Sequence, residues 1–273
     1  MYQAEASGFH DTGEVSLRYD VRGSGAGMVL FHELGGSVHS WDGVIDALSA
    51  QFRVLRFDQR GHGLSEKVRR PFCMTDHAND AMQLARHLAF DGQLWLVGVA
   101  AGAAAALAFA ARFADRVAGI VLCAPALSTD AARRSYLEAR MQQVEQSGMR
   151  AIADASLDRS YPADQRADTR FDTYRARWLA NDPVSYGLAN GALIDFTLDD
   201  RLSSIDCPCL LLAGRRDPLR PPSYVRSLVP LFADARYAEL DCAHVMPVQA
   251  PDELTRHILD FTRDCRAHPG VHA

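Results

Sequence analysis

Short apolar runs alternate with amphipathic helical stretches along most of the chain, and this rhythm constrains the fold more than any other feature. Runs rich in Val, Leu, Ile and Phe occur at Met28 to His32, Phe52 to Phe57, Leu94 to Val99, Gly119 to Cys123 and Leu210 to Ala213, with a further strand near Ala235 to Asp241. Their near-continuous apolar character predicts strands buried on both faces. Helical periods fall between them, at Trp41 to Gln51, Thr75 to Phe90, Ala101 to Phe113, Pro222 to Phe232 and Asp252 to Cys265. Such alternation predicts an α/β fold with a mostly parallel central sheet flanked by helices. From about Thr129 to Ser204 the pattern is helical and arginine-rich, without a convincing strand. The expected organisation is a core of residues 1–128 and 205–273 with an inserted helical cap, 129–204, over the carboxyl edge of the sheet, where open α/β sheets bind ligands.

Charge and composition exclude several functions. The formal net charge of −5 is spread without long like-charge runs, so no nucleic acid partner and no anionic membrane surface are expected. No stretch approaches 18 uninterrupted apolar residues, and the polar start from Met1 to Glu14 lacks a secretory pattern; no membrane span and a cytoplasmic location are expected. Lys67 is the only lysine, set among polar neighbours that would not lower its pKa for Schiff-base chemistry. No Gly-Lys-Ser/Thr element supports a P-loop. The six cysteines lack metal-clamp spacing, and Gly36 stands where an H-E-x-x-H motif beginning at His32-Glu33 needs its second histidine. No metal and no cofactor are expected.

The run Gly98-Val99-Ala100-Ala101-Gly102 lies between a strand and a long helix, at the spacing of the G-x-S-x-G nucleophile elbow, with alanine at the third position. Asp217 follows the strand that starts at Leu210, and His244 follows the last strand, so elbow, acid and histidine occur in that chain order. The turn Phe31-His32-Glu33-Leu34-Gly35-Gly36-Ser37 closes an earlier strand. With these residues the chain resembles the α/β-hydrolase superfamily from about Leu17 to Phe261. Asp58-Gln59-Arg60-Gly61-His62-Gly63-Leu64-Ser65 looks like that superfamily's loop after its fourth strand. Asn181-Asp182-Pro183 through Leu193, and then Pro208 to Pro222, are similar to the branch of enol-lactonases and carbon–carbon bond hydrolases.

Ala100 departs from the family pattern, because a methyl group cannot attack a carbonyl. Three explanations stay open: a natural alanine, as the resemblance to aminoacrylate hydrolases implies; a serine replaced to trap substrate; and a non-catalytic ligand-binding member of the fold. The resemblance implies His244 as general base on a water, Asp217 as the partner holding its tautomer, and the backbone N–H groups of Leu34 and Ala101 as oxyanion-hole donors. The expected reaction is hydrolysis of an activated enol-lactone, enamine, carbamate or ester. A cofactor-free lyase or oxygenase is the alternative, since one fold hosts many chemistries.

Glu33, Cys123 at its strand tip, and Trp178 of the cap are expected at the substrate. Glu33 either shapes the pocket or pairs with an arginine. Cys123 and Cys242 read better as buried hydrophobes than as substitute nucleophiles. Arg166, Arg170, Arg175 and Arg177 stock the cap with carboxylate-binding groups, although Asp164, Asp168 and Asp172 stand ready to pair with them. The expected partner is a small molecule, with a carboxylate as one option. A homodimer is the assembly left open.

Overall fold

In a computed structural model of the chain, residues 6–127, 131–166, 168–197 and 205–267 are described, the side chains of 131–133 excepted. Its strands are β1 (Ala6–Asp11), β2 (Ser16–Arg22), β3 (Gly27–Phe31), β4 (Arg53–Phe57), β5 (Leu94–Val99), β6 (Val117–Cys123), β7 (Cys209–Gly214) and β8 (Ala235–Leu240). They form one sheet in the order β1-β2-β4-β3-β5-β6-β7-β8. Only β1 with β2 and β2 with β4 pair antiparallel. From β4 to β8 every pairing is parallel, in a register that sets Phe31 beside Gly98, Val99 beside Cys123, and Gly214 beside Leu240. All the parallel strands therefore end on one edge.

The helices are α1 (Ile45–Ser49), α2 (Met74–His87), α3 (Ala101–Arg112), α4 (Ala131–Ser147), α5 (Ala153–Ser160), α6 (Arg170–Leu179), α7 (Pro183–Ile194), α8 (Pro222–Leu228), α9 (Met246–Gln249) and α10 (Pro251–Ala267). Successive side chains of a strand point to opposite faces, and the core divides accordingly. Val29, Phe31, Leu96 and Leu122 pack with Leu84 of α2 and Leu107 and Phe109 of α3. Met28, Leu30, Val97, Val99 and Val121 pack on the other face with Trp41, Leu254 and Ile258. Fully burying each such side chain contributes about 1.5–3 kcal/mol, so the doubly covered central strands are the rigid part of the molecule.

Helices α4 to α7 lie between β6 and β7 and carry a small cluster of their own: Val144, Ile152, Leu157, Tyr161, Tyr174, Trp178 and Tyr186, joined by Val245 from the loop after β8.

Three expectations need correction. The stretch Trp41 to Gln51 is a 3₁₀ turn, Val38–Trp41, followed only by the short α1. Between them Gly43 packs so tightly that an added Cβ would lie 2.8 Å from Pro251 Cβ. The helix from Pro222 ends at Leu228 and continues as a 3₁₀ turn, because Pro230 has no N–H to extend it. The polar start also contributes strand β1, and β2 follows it, where the apolar runs indicated neither. Among the described residues, no helix is long and apolar enough to cross a membrane.

Candidate active site

Chain geometry at the end of β5 is set by close backbone approach. A Cβ on Gly98 would lie 2.4 Å from the Gly102 carbonyl oxygen, and one on Gly102 would lie 2.2 Å from that of Phe31. Only glycine fits at either place, because real Cβ atoms do not approach so closely. The turn between them puts Ala100 at φ 53°, ψ −108°, a conformation that costs a non-glycine residue about 1–3 kcal/mol. Its N–H donates to the Cys123 carbonyl at 2.9 Å, and its carbonyl accepts from Ala103 N–H at 3.1 Å. Ala100 and Ala101 sit at the wall of a cavity of about 140 Å³.

The loops after β7 and β8 meet beside this elbow. Gly214 allows the meeting, since a Cβ there would lie 2.2 Å from the Ala243 carbonyl oxygen. Asp217 is 3% exposed. Its Oδ1 accepts the N–H groups of Leu219 at 2.8 Å and Arg220 at 3.1 Å, and its Oδ2 accepts from His244 Nδ1 at 2.7 Å. Burial alone would raise the Asp217 pKa, but His244 and the two backbone N–H groups outweigh it and hold the carboxyl below its usual range. An ionised carboxylate can only accept, so Nδ1 of His244 carries a proton, and in the neutral ring the lone pair lies on Nε2. His244 lines the same cavity as Ala100, and its backbone N–H donates to the Ser160 carbonyl at the end of α5 at 3.2 Å.

The turn after β3 forms the third side. Buried His32 donates through Nδ1 to the Glu33 carbonyl at 2.8 Å, and its Nε2 accepts from Gln59 N–H at 3.0 Å. Burial pulls its pKa down, against the smaller opposing effect of Glu33 and Asp58; the ring is a neutral brace. Glu33 and Leu34 both line the cavity. Glu33 is 3% exposed and accepts from Ser40 Oγ at 2.8 Å. It has no arginine partner among the described ion pairs; it shapes the wall. Trp178 also lines the cavity, its ring edge-on to Tyr186 with centroids 5.5 Å apart. Asn181 ties α6 to the turn by donating to the Gly35 carbonyl at 2.8 Å.

One expected wall residue is elsewhere. Cys123 is fully buried in the core beneath the elbow and does not line the cavity, because its side chain follows the strand pleat into the apolar layer. Burial also pushes its thiol pKa well up, and pushes that of Cys242 up to about 12, which makes both poor nucleophiles.

The four highlighted cap arginines do not line this cavity and are paired: Arg166 with Asp158, Arg170 with Asp168, Arg175 with Asp154 and Arg177 with Asp42. The cavity is lined instead by Arg140, Arg159 and Arg220. None of the three forms an ion pair among the described residues. Arg140 and Arg159 donate to the Tyr136 hydroxyl at 3.1 and 3.4 Å, Arg140 also donates to Ser156 Oγ, and Arg220 donates to the Leu219 carbonyl at 2.9 Å. Arg220 is 7% exposed, and its Nε has no hydrogen-bond partner. Burial lowers its pKa, and nearby Tyr224 and Asp217 partly offset that. The position of Arg220, three residues after Asp217 on the same loop, was the available signal for it. Nothing in the charge pattern of α4 and α5 distinguishes Arg140 or Arg159 from their solvated neighbours.

A family model described as the alpha/beta hydrolase fold matches residues 28–251. The chain belongs to this family. As an α/β-hydrolase it is 30% identical over 273 residues to the RutD protein of Variovorax paradoxus, named as a carbamate hydrolase, covering 94% of this chain and 99% of the relative. It is 32% identical over 181 residues to the 2-(acetamidomethylene)succinate hydrolase of Mesorhizobium japonicum, covering 65% of this chain and 63% of the relative. Among solved structures, the enol-lactonase from Burkholderia xenovorans LB400 superposes with a TM-score of 0.87 at 29% identity, covering 94% of this chain and all of the other, 100%. The α/β-hydrolase described here is accordingly a small-molecule hydrolase.

Proposed function

We propose that this α/β-hydrolase cleaves a small, activated, anionic acyl compound by direct attack of water. The observation that carries the reading is an intact elbow bearing a methyl group, set at the wall of the cavity that His244 also lines. A methyl is one oxygen smaller than a serine side chain, so a water has space beside the His244 ring. His244 Nε2 takes a proton from that water as its oxygen bonds to the carbonyl carbon. The developing oxyanion is received by the N–H groups of Leu34 and of Ala101, the latter at the positive end of α3. The proton then passes from His244 to the leaving nitrogen or oxygen as its bond to carbon breaks, giving an acid and the released group. Without a covalent step the substrate must already be reactive, as an enol-lactone, an activated carbamate or a labile ester is.

Arg140, Arg159 and Arg220 support an anionic substrate. Arg220 is a buried guanidinium without a carboxylate partner, which is costly, and a ligand carboxylate would supply one in bidentate geometry. The separate apolar cluster of α4 to α7 supports reading 129–204 as a cap over the site.

The test compares mono-p-nitrophenyl succinate with p-nitrophenyl valerate, a neutral ester of similar size. The anionic ester should be preferred in kcat/KM by about tenfold or more, the worth of one hydrogen bond to a charged group. Arg220→Gln should remove most of that preference by raising KM. Equal rates for the two esters with the unaltered enzyme would overturn the anionic-substrate reading.

A further inference from the structure

Glu33 is a buried carboxyl whose hydrogen bonding is half complete. Oε1 accepts from Ser40 at 2.8 Å, and Ser40 is itself fixed in the 3₁₀ turn after Ser37. The backbone of Glu33 is held by the His32 ring and by Gly36 N–H, which donates to its carbonyl at 2.9 Å. Gly36 packs directly against the carboxyl, since a Cβ there would lie 2.5 Å from Oε1. Oε2 is buried yet has no hydrogen-bond partner. Burial, and then Glu33 through its charge and a side-chain hydrogen bond, raise the pKa of the neighbouring Tyr174 hydroxyl, yet Oε2 has no partner at ordinary hydrogen-bond distance. A polar atom removed from water without a partner costs free energy comparable to a lost hydrogen bond, and the side chain that carries it lines the cavity of His244 and Ala100. Its natural partner is a donor brought by the ligand.

The position defines which donor. Glu33 immediately precedes Leu34, and both line the cavity that Ala100 and Ala101 also line. We infer that Glu33 accepts a hydrogen bond from an N–H or O–H group on the atom bonded to the scissile carbonyl, which makes Glu33 a specificity-determining residue for carbamate- or amide-like acyl groups. This rests on the proposal that Leu34 is an oxyanion donor and that the arginines take a carboxylate at the far end. An acyl group with carbon at that position leaves Oε2 unpaired and is disfavoured, by about the worth of the one missing hydrogen bond.

Two pairs of non-reacting probes isolate the contact: succinamate against levulinate and, one methylene longer, glutaramate against 5-oxohexanoate. Members of each pair differ only in NH₂ against CH₃ on the carbonyl. Titration calorimetry should show the amide of at least one pair binding about tenfold more tightly. Glu33→Leu should bring that ratio to about two or less, the acceptor being gone. Glu33→Gln preserves the shape of the side chain, and thermal melting confirms its fold; its ratio should fall below that of the unaltered enzyme, because one of its two terminal atoms now donates. Equal binding of amide and ketone to the unaltered enzyme, or a ratio unchanged in both variants, overturns the role of Glu33 and leaves the water-attack reading standing. Failure of all four probes to bind overturns the anionic-substrate reading and this inference together.

Discussion

His244→Ala is expected to lower kcat/KM by about 10²–10⁴-fold, the usual contribution of a positioned general base, while the Kd for a carboxylate ligand such as succinamate stays within a few-fold. The separation follows from geometry. The ring's recorded polar contact is with Asp217, and the tie to the inserted helices runs through the backbone N–H of His244 to Ser160, which alanine keeps. Binding energy from the arginines is therefore retained, and the residual rate reports the backbone donors alone. Steady-state kinetics on mono-p-nitrophenyl succinate beside calorimetric titration measure both quantities. An unchanged rate would remove His244 from the reaction and leave the cavity as a binding site only.

Asp217→Asn should cost nearly as much, although it changes one atom. Asn Oδ1 can still accept the N–H groups of Leu219 and Arg220 that shape the loop, so the fold is preserved. Its NH₂ group then faces His244 Nδ1, which must become an acceptor, and the proton moves to Nε2, where the attacking water needs a base. The wrong tautomer in a comparable acid–histidine pair costs up to about 10⁴-fold. Because His244 and Asp217 act as one unit, the double variant should be little slower than either single one. Kinetics of the three variants check this. Losses that multiply would show that Asp217 acts independently of the ring.

Much of the fold was legible because its strands are buried on both faces. Leu94–Val99 and Leu210–Ala213 read as short apolar runs between helical periods, and they lie in the interior strands β5 and β7 of the sheet. The antiparallel edge was harder. In β2 Leu17, Tyr19 and Val21 do alternate with polar residues, but β1 offers only Ala-Ser-Gly-Phe-His-Asp, half exposed, with no pattern strong enough to separate it from a loop. At the site, elbow glycines, acid and histidine stand in a spacing that chemistry dictates, so Ala100, Asp217 and His244 could be placed from sequence. Cys123 was misplaced because a strand tip puts alternate side chains into the pocket and into the core, and one residue of register decides which. The arginines were harder still. A guanidinium on a helix faces solvent or cavity according to how the helix docks; Arg166, Arg170, Arg175 and Arg177 found aspartates, while Arg140 and Arg159 line the cavity.

The central claim is that no covalent bond forms between enzyme and substrate. It is tested most directly by a single turnover in ¹⁸O-labelled water with enzyme in excess, quenched with acid before completion and read by intact-protein and product mass spectrometry. The account predicts protein at its unmodified mass at every time point and one ¹⁸O atom in the acid product of the first turnover. An acylated protein that forms and decays at the rate of product release, or ¹⁸O retained in the protein, would contradict it.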